Sequence, residues 1–131
     1  MPIRIVRLGS DRLSGEGLRI GTVRHPPRGV AKDQYASRNF FDVWLPTLAP
    51  SSETVKLAQN AKTEKEWLRF VRTYRTEMAA PESRVLLDLL GALSHKTDCY
   101  VGCYCLDESR CHRSILPNLL QENGPVLIGR S

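Results

Sequence analysis

Strand-like runs and amphipathic helices follow one another along this chain in an order that leaves few folds open. Two short runs rich in β-branched residues, 3–8 and 18–23, open the sequence, and turn-forming residues close each of them. Helical segments come next, then a run at 99–105, one more helix and a final run at 126–128. Strands interleaved with helices predict an α/β fold, a compact sandwich with a small, partly parallel sheet and flanking helices.

The longest helix is located by its cap and its periodicity. Thr63 and Glu66 match the capping box, in which a hydroxyl and a carboxylate each bond a backbone N–H of the other residue. They predict a helix over 64–79. Apolar residues recur along one face of it, at Trp67, Phe70, Val71, Tyr74 and Met78.

Weaker signals place the other helices. Ser51 or Ser52 is expected to cap a helix through Ala58, and Pro81 to begin another. The segment 31–50 is predicted to be a short helix followed by irregular, largely buried chain. The residues predicted to face the core from the helix after Pro81 and from the last helix are Val85, Leu86, Leu89, Leu90, Leu93, Ile115, Leu116, Leu119 and Leu120.

The length of 131 residues predicts a single domain over 1–131, with room for one hydrophobic core. Hydrophobic residues are 41% and charged residues 25% of the chain, which is typical of a soluble globular protein. The first residues lack an apolar targeting segment, and no apolar run is long enough to span a membrane. A cytoplasmic location without a membrane partner is therefore expected.

The four cysteines are clustered rather than spread along the chain. They stand at 99, 103, 105 and 111, whereas a disulfide scaffold distributes its bridges over a chain that lacks a core. They are therefore interpreted as thiols, metal ligands or redox groups. Cys99, inside the predicted strand, is interpreted as a core residue.

Reactive side chains gather where the run at 99–105 gives way to the next helix. Ligands collect at such junctions because the free N–H groups and the dipole of the helix favour an anion or a thiolate. Cys105 or Cys111 is a candidate nucleophile, ionised by the helix terminus, by His112 and by Arg110 or Arg113. His112 or Glu108 is the candidate for moving protons.

Other interpretations of the same segment stay open. Cys103, Cys105, Cys111 and His112 can be written as a tetrahedral set for zinc or an iron–sulfur cluster, although their spacing lacks the usual two residues between paired cysteines. Cys105 and Cys111 can also form a regulatory disulfide. In the plainest interpretation Cys103 is a small core residue. No metal or cofactor is assigned.

A second candidate segment follows the run at 18–23. The chain has a net charge of +5, dominated by arginine, which favours anionic partners. Arg24 and Arg28 bracket a rigid, proline-containing loop that can bind an anion or, alternatively, lie in solvent as an ordinary turn. If the two strands are neighbours, both candidate segments share one edge of the sheet. A single pocket would then contain Arg24, Arg28, Cys105, His112 and Arg113.

The arginines of the long helix suggest a further partner. Arg69, Arg72 and Arg75 can bind nucleic acid or simply form the solvated face of an amphipathic helix. The chain lacks the glycine-rich dinucleotide fingerprint, the P-loop and the nucleophile elbow. Dinucleotide oxidoreductases, P-loop NTPases and α/β-hydrolases therefore have no motif here.

These motifs together resemble a bacterial family, domain of unknown function 488 (DUF488), and its YeaO-like branch. The carriers of the resemblance are Gly17, Arg19, Arg24, Pro27, Arg28, Gly29, Trp44-Leu45, Ala49-Pro50-Ser51, Trp67, Phe70, Tyr74, Glu77, Cys103-Tyr104-Cys105 and Cys111-His112-Arg113. Val23 and Pro26 depart from the branch, which usually has Asp and Trp there. The resemblance implies a compact α/β fold with a pocket lined by these motifs, and no settled activity.

The residues and the resemblance lead to one functional expectation. The protein is predicted to bind an anionic ligand, a nucleotide or nucleic-acid component, and to act on it with a thiol or an acid–base group. Arg24, Arg28 and Arg113 would bind the anion. The alternative is a non-catalytic binding module, with a structural metal or a nucleic-acid-binding role. The oligomeric state is not predicted.

Overall fold

The computed structural model describes residues 3–12, 14–104, 115–122 and 128–130. In these residues the strands are β1 (Ile3–Arg7), β2 (Leu18–Gly21), β3 (Val43–Trp44), β4 (Cys99–Cys103) and β5 (Ile128–Arg130). The α-helices there are α1 (Ser52–Asn60), α2 (Glu64–Met78), α3 (Pro81–Leu93) and α4 (Leu116–Glu122). Single 3₁₀ turns at Lys32–Gln34 and Pro46–Leu48 flank β3.

The strands form one sheet with β4 at its centre. Their order is β3-β2-β4-β1-β5, and each pairing among the described strands is parallel. Parallel strands of one sheet need crossover connections, and α1 to α3 lie in the connection from β3 to β4 while α4 lies in that from β4 to β5. The predicted α/β fold is confirmed. The pairing is wholly rather than partly parallel within the residues described.

Successive residues of the strands belong to two different layers. Ile5, Ile20 and Val101 pack in a core cluster with residues of the helices. Tyr100 belongs instead to a smaller cluster that includes Phe41, from the chain just before β3. The helices thus cover one face of the sheet, and chain between the strands packs on the other.

Helices α1 and α2 begin where their caps predict. The Ser51 hydroxyl accepts the N–H of Thr54, and Thr63 and Glu66 make both bonds of the capping box. The buried residues of α2 are Trp67, Phe70, Tyr74 and Met78, and those described as buried around α4 are Ile115, Leu116, Leu119 and Leu120. None of the helices in the described ranges combines the length and apolar character that crossing a membrane requires.

The orientation predicted for α3 is wrong in part. Leu90 is buried as predicted, and Leu86 and Leu93 pack against the core. Val85 and Leu89, also expected to face the core, are 65% and 52% exposed, and Ser83 and Leu87 are buried in their place. Apolar residues surround most of this helix, so periodicity alone does not select its inward face. The Ser83 hydroxyl donates to the backbone of the 46–50 segment, which places that side of α3 toward the sheet.

Strand β3 was not part of the prediction for 31–50. It is two residues long and too short to show the alternation by which strands are recognised. It forms because β2 offers an unpaired edge. Hydrogen bonds from Asp42 N–H to the Arg19 carbonyl and from Leu45 N–H to the Gly21 carbonyl, both 2.9 Å, hold it there. Among the described residues, strand β5 includes Ile128, the last residue of the predicted run at 126–128.

Candidate ligand-binding site

Two of the predicted site segments start side by side at the carboxyl-terminal edge of the sheet. Gly21 of β2 pairs with Gly102 of β4. The N–H and the hydroxyl of Thr22 both donate to the Gly102 carbonyl, at 3.1 and 3.0 Å. Just beyond the strands, the Tyr104 hydroxyl donates to the His25 carbonyl at 3.1 Å. The condition for a shared edge, that the two strands are neighbours, is therefore met.

Glycine is required at this point of both strands. A Cβ on Gly21 would overlap the ring of Phe41, and a Cβ on Gly102 would overlap the carbonyl of Val6. Both obstacles are packed parts of the structure rather than flexible side-chain ends. The packing of Phe41 on β2 and the close approach of β1 to β4 thus depend on the absence of two side chains.

Arg24 fastens the chain that follows β3. Its Nε donates to the carbonyl of Pro50 at 3.0 Å, and its Nη2 donates to those of Pro46 and Ala49, each at 3.1 Å. These bonds use three of the five N–H groups of a guanidinium. Arg24 therefore has a structural role in addition to the ligand-binding role predicted for it.

The remaining carbonyls of the 46–50 segment are also bonded by side chains. The Tyr74 hydroxyl of α2 donates to the Leu48 carbonyl at 2.7 Å, and the Ser83 hydroxyl of α3 donates to the Thr47 carbonyl at 3.0 Å. Each carbonyl from 46 to 50 thus accepts a hydrogen bond from a distant side chain. The segment beside the candidate site is held from the sheet and from two helices.

Arg19 is fully buried on the face of the sheet that the helices do not cover, beside Tyr100. Its Nε and Nη2 bond the two carboxylate oxygens of Glu16 at 2.6 and 3.1 Å. Its other three N–H groups donate to the carbonyls of Ser10, Asn39 and Asp11, at 2.9, 2.7 and 3.2 Å. All five donors are used, so Arg19 ties the loop layer to the sheet and has no donor left for a ligand.

Arg28 differs from both of these arginines. Its side chain is exposed, and it makes no hydrogen bond or ion pair with the described part of the chain. Pro26 and Pro27 precede it and fix their own φ angles, and Gly29 follows with a φ of +72°. Arg28 is thus a guanidinium on a restricted loop, a few residues after the carboxyl end of β2.

Trp44 is a candidate that the residue-based reasoning missed. Its indole Nε1 donates to the Val23 carbonyl at 2.8 Å, which fixes the ring beside the start of the Arg28 loop. The residue is nevertheless 41% exposed. One signal in the sequence could have identified Trp44. It is a large aromatic residue in a motif of the family, and no periodic apolar pattern assigns it to the core. Its ring can offer a base a flat surface for stacking.

The two described cysteines are buried thiols. Cys99 is fully buried, and Cys103 is 2% exposed. Burial, and then the charge of Asp98, raises the pKa of the Cys99 thiol, the opposite of what a thiolate nucleophile requires. The core interpretation of both residues is supported. Cys103 packs with Tyr100 rather than with Cys99, although alternation along β4 puts it with the latter.

The other predicted site residues lie outside the described residues. They are Cys105, Glu108, Cys111, His112 and Arg113, so their roles as thiol, proton carrier and anion ligand stay predictions. The same holds for the metal set that adds Cys103 to three of them. Among the residues the structure describes, no group of three or more His, Cys, Asp or Glu side chains could hold a metal ion.

The arginines of α2 lie away from the sheet edge. Arg69 and Arg72 are exposed, as the solvated-face interpretation requires. Arg69 borders a groove of about 120 Å³ whose lining residues are Lys56, Leu57, Asn60, Glu66 and Arg69. Sites for drug-sized ligands usually occupy about 300–1,000 Å³. The groove is therefore smaller than a typical site for a ligand of nucleotide size.

Comparison with known proteins gives one match. The sequence profile of DUF488-N3a, described as the active DUF488-N3 subclade, matches residues 3–124. This confirms the predicted resemblance to DUF488, whereas membership of the YeaO-like branch stays a prediction. Neither a search of curated proteins nor a search of solved structures gave a match.

Proposed function

Because this chain belongs to the DUF488-N3a family, the active DUF488-N3 subclade, we propose that it binds an anionic ligand of nucleotide or nucleic-acid-component type at the carboxyl-terminal edge of its sheet. Arg28, with Arg24 and Arg113, binds the anion. A thiol of Cys105 or Cys111 acts on the ligand, or else an acid–base group does, with His112 or Glu108 moving protons. The description of the subclade as active supports the catalytic part.

The exposed guanidinium of Arg28 is the observation that carries the proposal. Among the arginines of the motif, Arg19 uses all five donors and Arg24 three of five within the protein. Arg28 makes no such bond to a described residue. A planar guanidinium suits phosphate oxygens bidentately, and a loop restricted by two prolines loses little freedom when it binds.

The position of Arg28 supports the same proposal. In open parallel sheets, ligands bind outside the carboxyl ends of the strands, where the chain leaves the sheet in different directions. From β2 the chain continues to Arg28, and from β4 it continues through Tyr104 toward 105–113. The hydrogen bond from Tyr104 to His25 holds these two exits together.

Trp44 favours a nucleotide over a simple anion. Its fixed, half-exposed indole lies at the end of β3, next to the strand from which the Arg28 loop emerges. Stacking of a base on an aromatic ring contributes roughly 1–3 kcal/mol and tolerates any base. A ring and a guanidinium at one sheet edge suit the base and the phosphate of the same ligand.

Calorimetric titration with adenosine monophosphate and with inorganic phosphate tests the proposal. We expect binding of the nucleotide, and Arg28→Ala should raise its Kd at least about tenfold, as expected for the loss of a hydrogen bond between charged groups. Arg38→Ala removes the same charge from another exposed arginine and serves as the matched control. Equal Kd values for the two variants would exclude Arg28 as the anion ligand.

Two further measurements separate catalysis from a metal-stabilised binding module. Elemental analysis of protein purified without added metal should find neither zinc nor iron in stoichiometric amount. Alkylation rates measured against pH should show Cys105 or Cys111 reacting with an apparent pKa well below the roughly 8.5 of an ordinary thiol. Stoichiometric metal, or ordinary titration of both thiols, removes the activated-thiol part of the proposal.

A further inference from the structure

The outward face of α3 is apolar. Val85 and Leu89 have the two largest exposures among the large hydrophobic residues described, 65% and 52%. Ala92, also exposed, continues the row at the spacing i, i+4, i+7, so the three lie on one side of the helix. Half-buried Leu86 and Leu93 border them. We call Val85, Leu89 and Ala92 the α3 stripe.

Helix α3 is therefore apolar on two opposite sides. Its inward side gives Leu87 and Leu90 to the core. An apolar side of a helix is typical of one that packs against another element, so the second apolar side is suited to packing against a partner. Covering the α3 stripe would remove the side chains of Val85 and Leu89 from water, which is favourable for each.

We propose that the α3 stripe is covered by the same stripe of a second copy of this chain, with the two helices antiparallel about a twofold axis. An axis at the level of Leu87 places Val85 against the partner's Leu89, and Leu89 against the partner's Val85. The stripe is then complementary to itself, which is the requirement for a closed dimer with identical contacts from both chains.

The charges beside the stripe single out a second copy as the occupant. Arg84 and Asp88 are exposed and lie on one flank of α3, one turn apart. The twofold axis brings this flank against the same flank of the partner. Arg84 and the partner's Asp88 then lie two residues apart along the helix axis, about 3 Å at 1.5 Å per residue. Opposite charges meet on both sides of the axis.

The extent of the helix sets the strength of the association. Thirteen residues of α3 span roughly 20 Å, so a single-helix contact falls below the roughly 800 Å² per partner of a standard interface. The dimer is therefore weak and reversible, and it dissociates on dilution.

Sedimentation velocity of the full chain at loading concentrations from about 1 µM to about 1 mM tests this proposal. We expect the average sedimentation coefficient to rise with concentration, and Leu89→Glu to raise the dimer Kd at least about tenfold. Leu68→Glu is the control, because Leu68 on α2 is similarly exposed, at 45%, and lies outside the stripe. Circular dichroism checks that both variants are folded.

Charge exchange tests the identity of the partner. Arg84→Asp or Asp88→Arg alone places like charges across the axis and should weaken the dimer severalfold. The double variant Arg84→Asp/Asp88→Arg restores opposite charges and should recover the original Kd. A chain that is monomeric throughout, a dimer insensitive to Leu89→Glu, or a double variant that does not recover would each overturn the proposal.

Discussion

The carboxylate of Glu77, in the last turn of α2, accepts hydrogen bonds from Ser51, the residue that caps α1. Its Oε1 lies 3.0 Å from the Ser51 nitrogen, and its Oε2 lies 2.6 Å from the Ser51 hydroxyl. The Thr54 hydroxyl adds a bond to Oε2 at 2.8 Å. One carboxylate thus joins the end of α2 to the start of α1, directly after the 46–50 segment.

This arrangement predicts that Glu77 is needed for stability. We expect Glu77→Ala to lower the free energy of unfolding by about 2–4 kcal/mol, because Ser51 and Thr54 lose a charged acceptor in a partly buried place. Glu77→Gln should cost less, since an amide still accepts with one oxygen. Urea denaturation measures both. Glu53→Ala, an exposed acid in the first turn of α1, is the control; an equal loss there would contradict the role of Glu77.

The buried ion pair of Arg19 and Glu16 predicts a larger effect. We expect Arg19→Met to cost about 3–5 kcal/mol, because the buried Glu16 carboxylate loses the guanidinium that bonds both of its oxygens. The double variant Arg19→Met/Glu16→Met should lose less than the two single losses added together. Arg12→Met is the comparison. Arg12 is partly exposed and contacts Asp42 at 3.1 Å and Glu16 at 3.7 Å, so its loss should cost less than the loss of Arg19. Strict additivity in this cycle would argue against the pair.

Alanine substitution should lower the free energy of unfolding at Arg24 but leave it nearly unchanged at Arg28. Arg24→Ala removes bonds to three carbonyls and should lower the free energy of unfolding by about 2–3 kcal/mol. Arg28→Ala touches no described partner and should change stability by less than about 0.5 kcal/mol. Thermal melts followed by circular dichroism give both values. A stability loss at Arg28 comparable to that at Arg24 would assign Arg28 a structural role as well.

The thiol of Cys99 in β4 and the phenol of Tyr104 just after β4 predict a loss of stability at alkaline pH. Burial raises the pKa of the Cys99 thiol above its ordinary value of 9.0, and burial followed by the charges of Tyr35 and Cys103 raises the pKa of Tyr104. The neutral forms of both groups therefore contribute fully to the free energy of unfolding below about pH 9. This contribution is lost as the pH rises through the raised pKa values.

Urea denaturation at a series of alkaline pH values measures this dependence. Cys99→Ala and Tyr104→Phe each remove one titrating group, so each variant should show a shallower fall of stability with pH than the parent chain. Slopes identical to that of the parent would show that neither group is responsible.

Fluorescence can report on stacking at Trp44. The chain has two tryptophans, and Trp67 is only 8% exposed, so a ligand at the sheet edge should quench Trp44 selectively. We expect adenosine monophosphate to quench part of the emission, inorganic phosphate to leave it unchanged, and Trp44→Phe to abolish the response. Quenching that survives in Trp44→Phe would place the base elsewhere.

Local signals in the sequence were enough for the elements whose chemistry is local. Thr63 and Glu66 define the start of α2 because both partners of the capping box lie within four residues. Alternation along β4 can be read from Cys99 to Val101 but fails at Cys103, which packs with Tyr100. The inward face of α3 was predictable only in part, because the bond from Ser83 to Thr47 that orients it joins residues 36 positions apart.

The roles of the arginines show the same limit at the site. Arg19, Arg24 and Arg28 look alike in sequence, and what separates them is whether carbonyls from distant segments surround the guanidinium. Those carbonyls belong to chain without its own periodic pattern. Trp44 was passed over for a related reason, since its exposure depends on β3 being an edge strand of only two residues.

The fully bonded 46–50 segment also bears on whether a strand of another chain can add to the β3 edge of the sheet. β3 is an edge of the sheet, and an unpaired edge is a template on which a strand of another chain can extend the ladder. Here the strand ends after Trp44. The Leu45 carbonyl accepts the Leu48 N–H, and each of the next five carbonyls, 46–50, already receives a side-chain donor from Arg24, Tyr74 or Ser83. An incoming strand would meet only two residues to pair with, too few to nucleate a fibre.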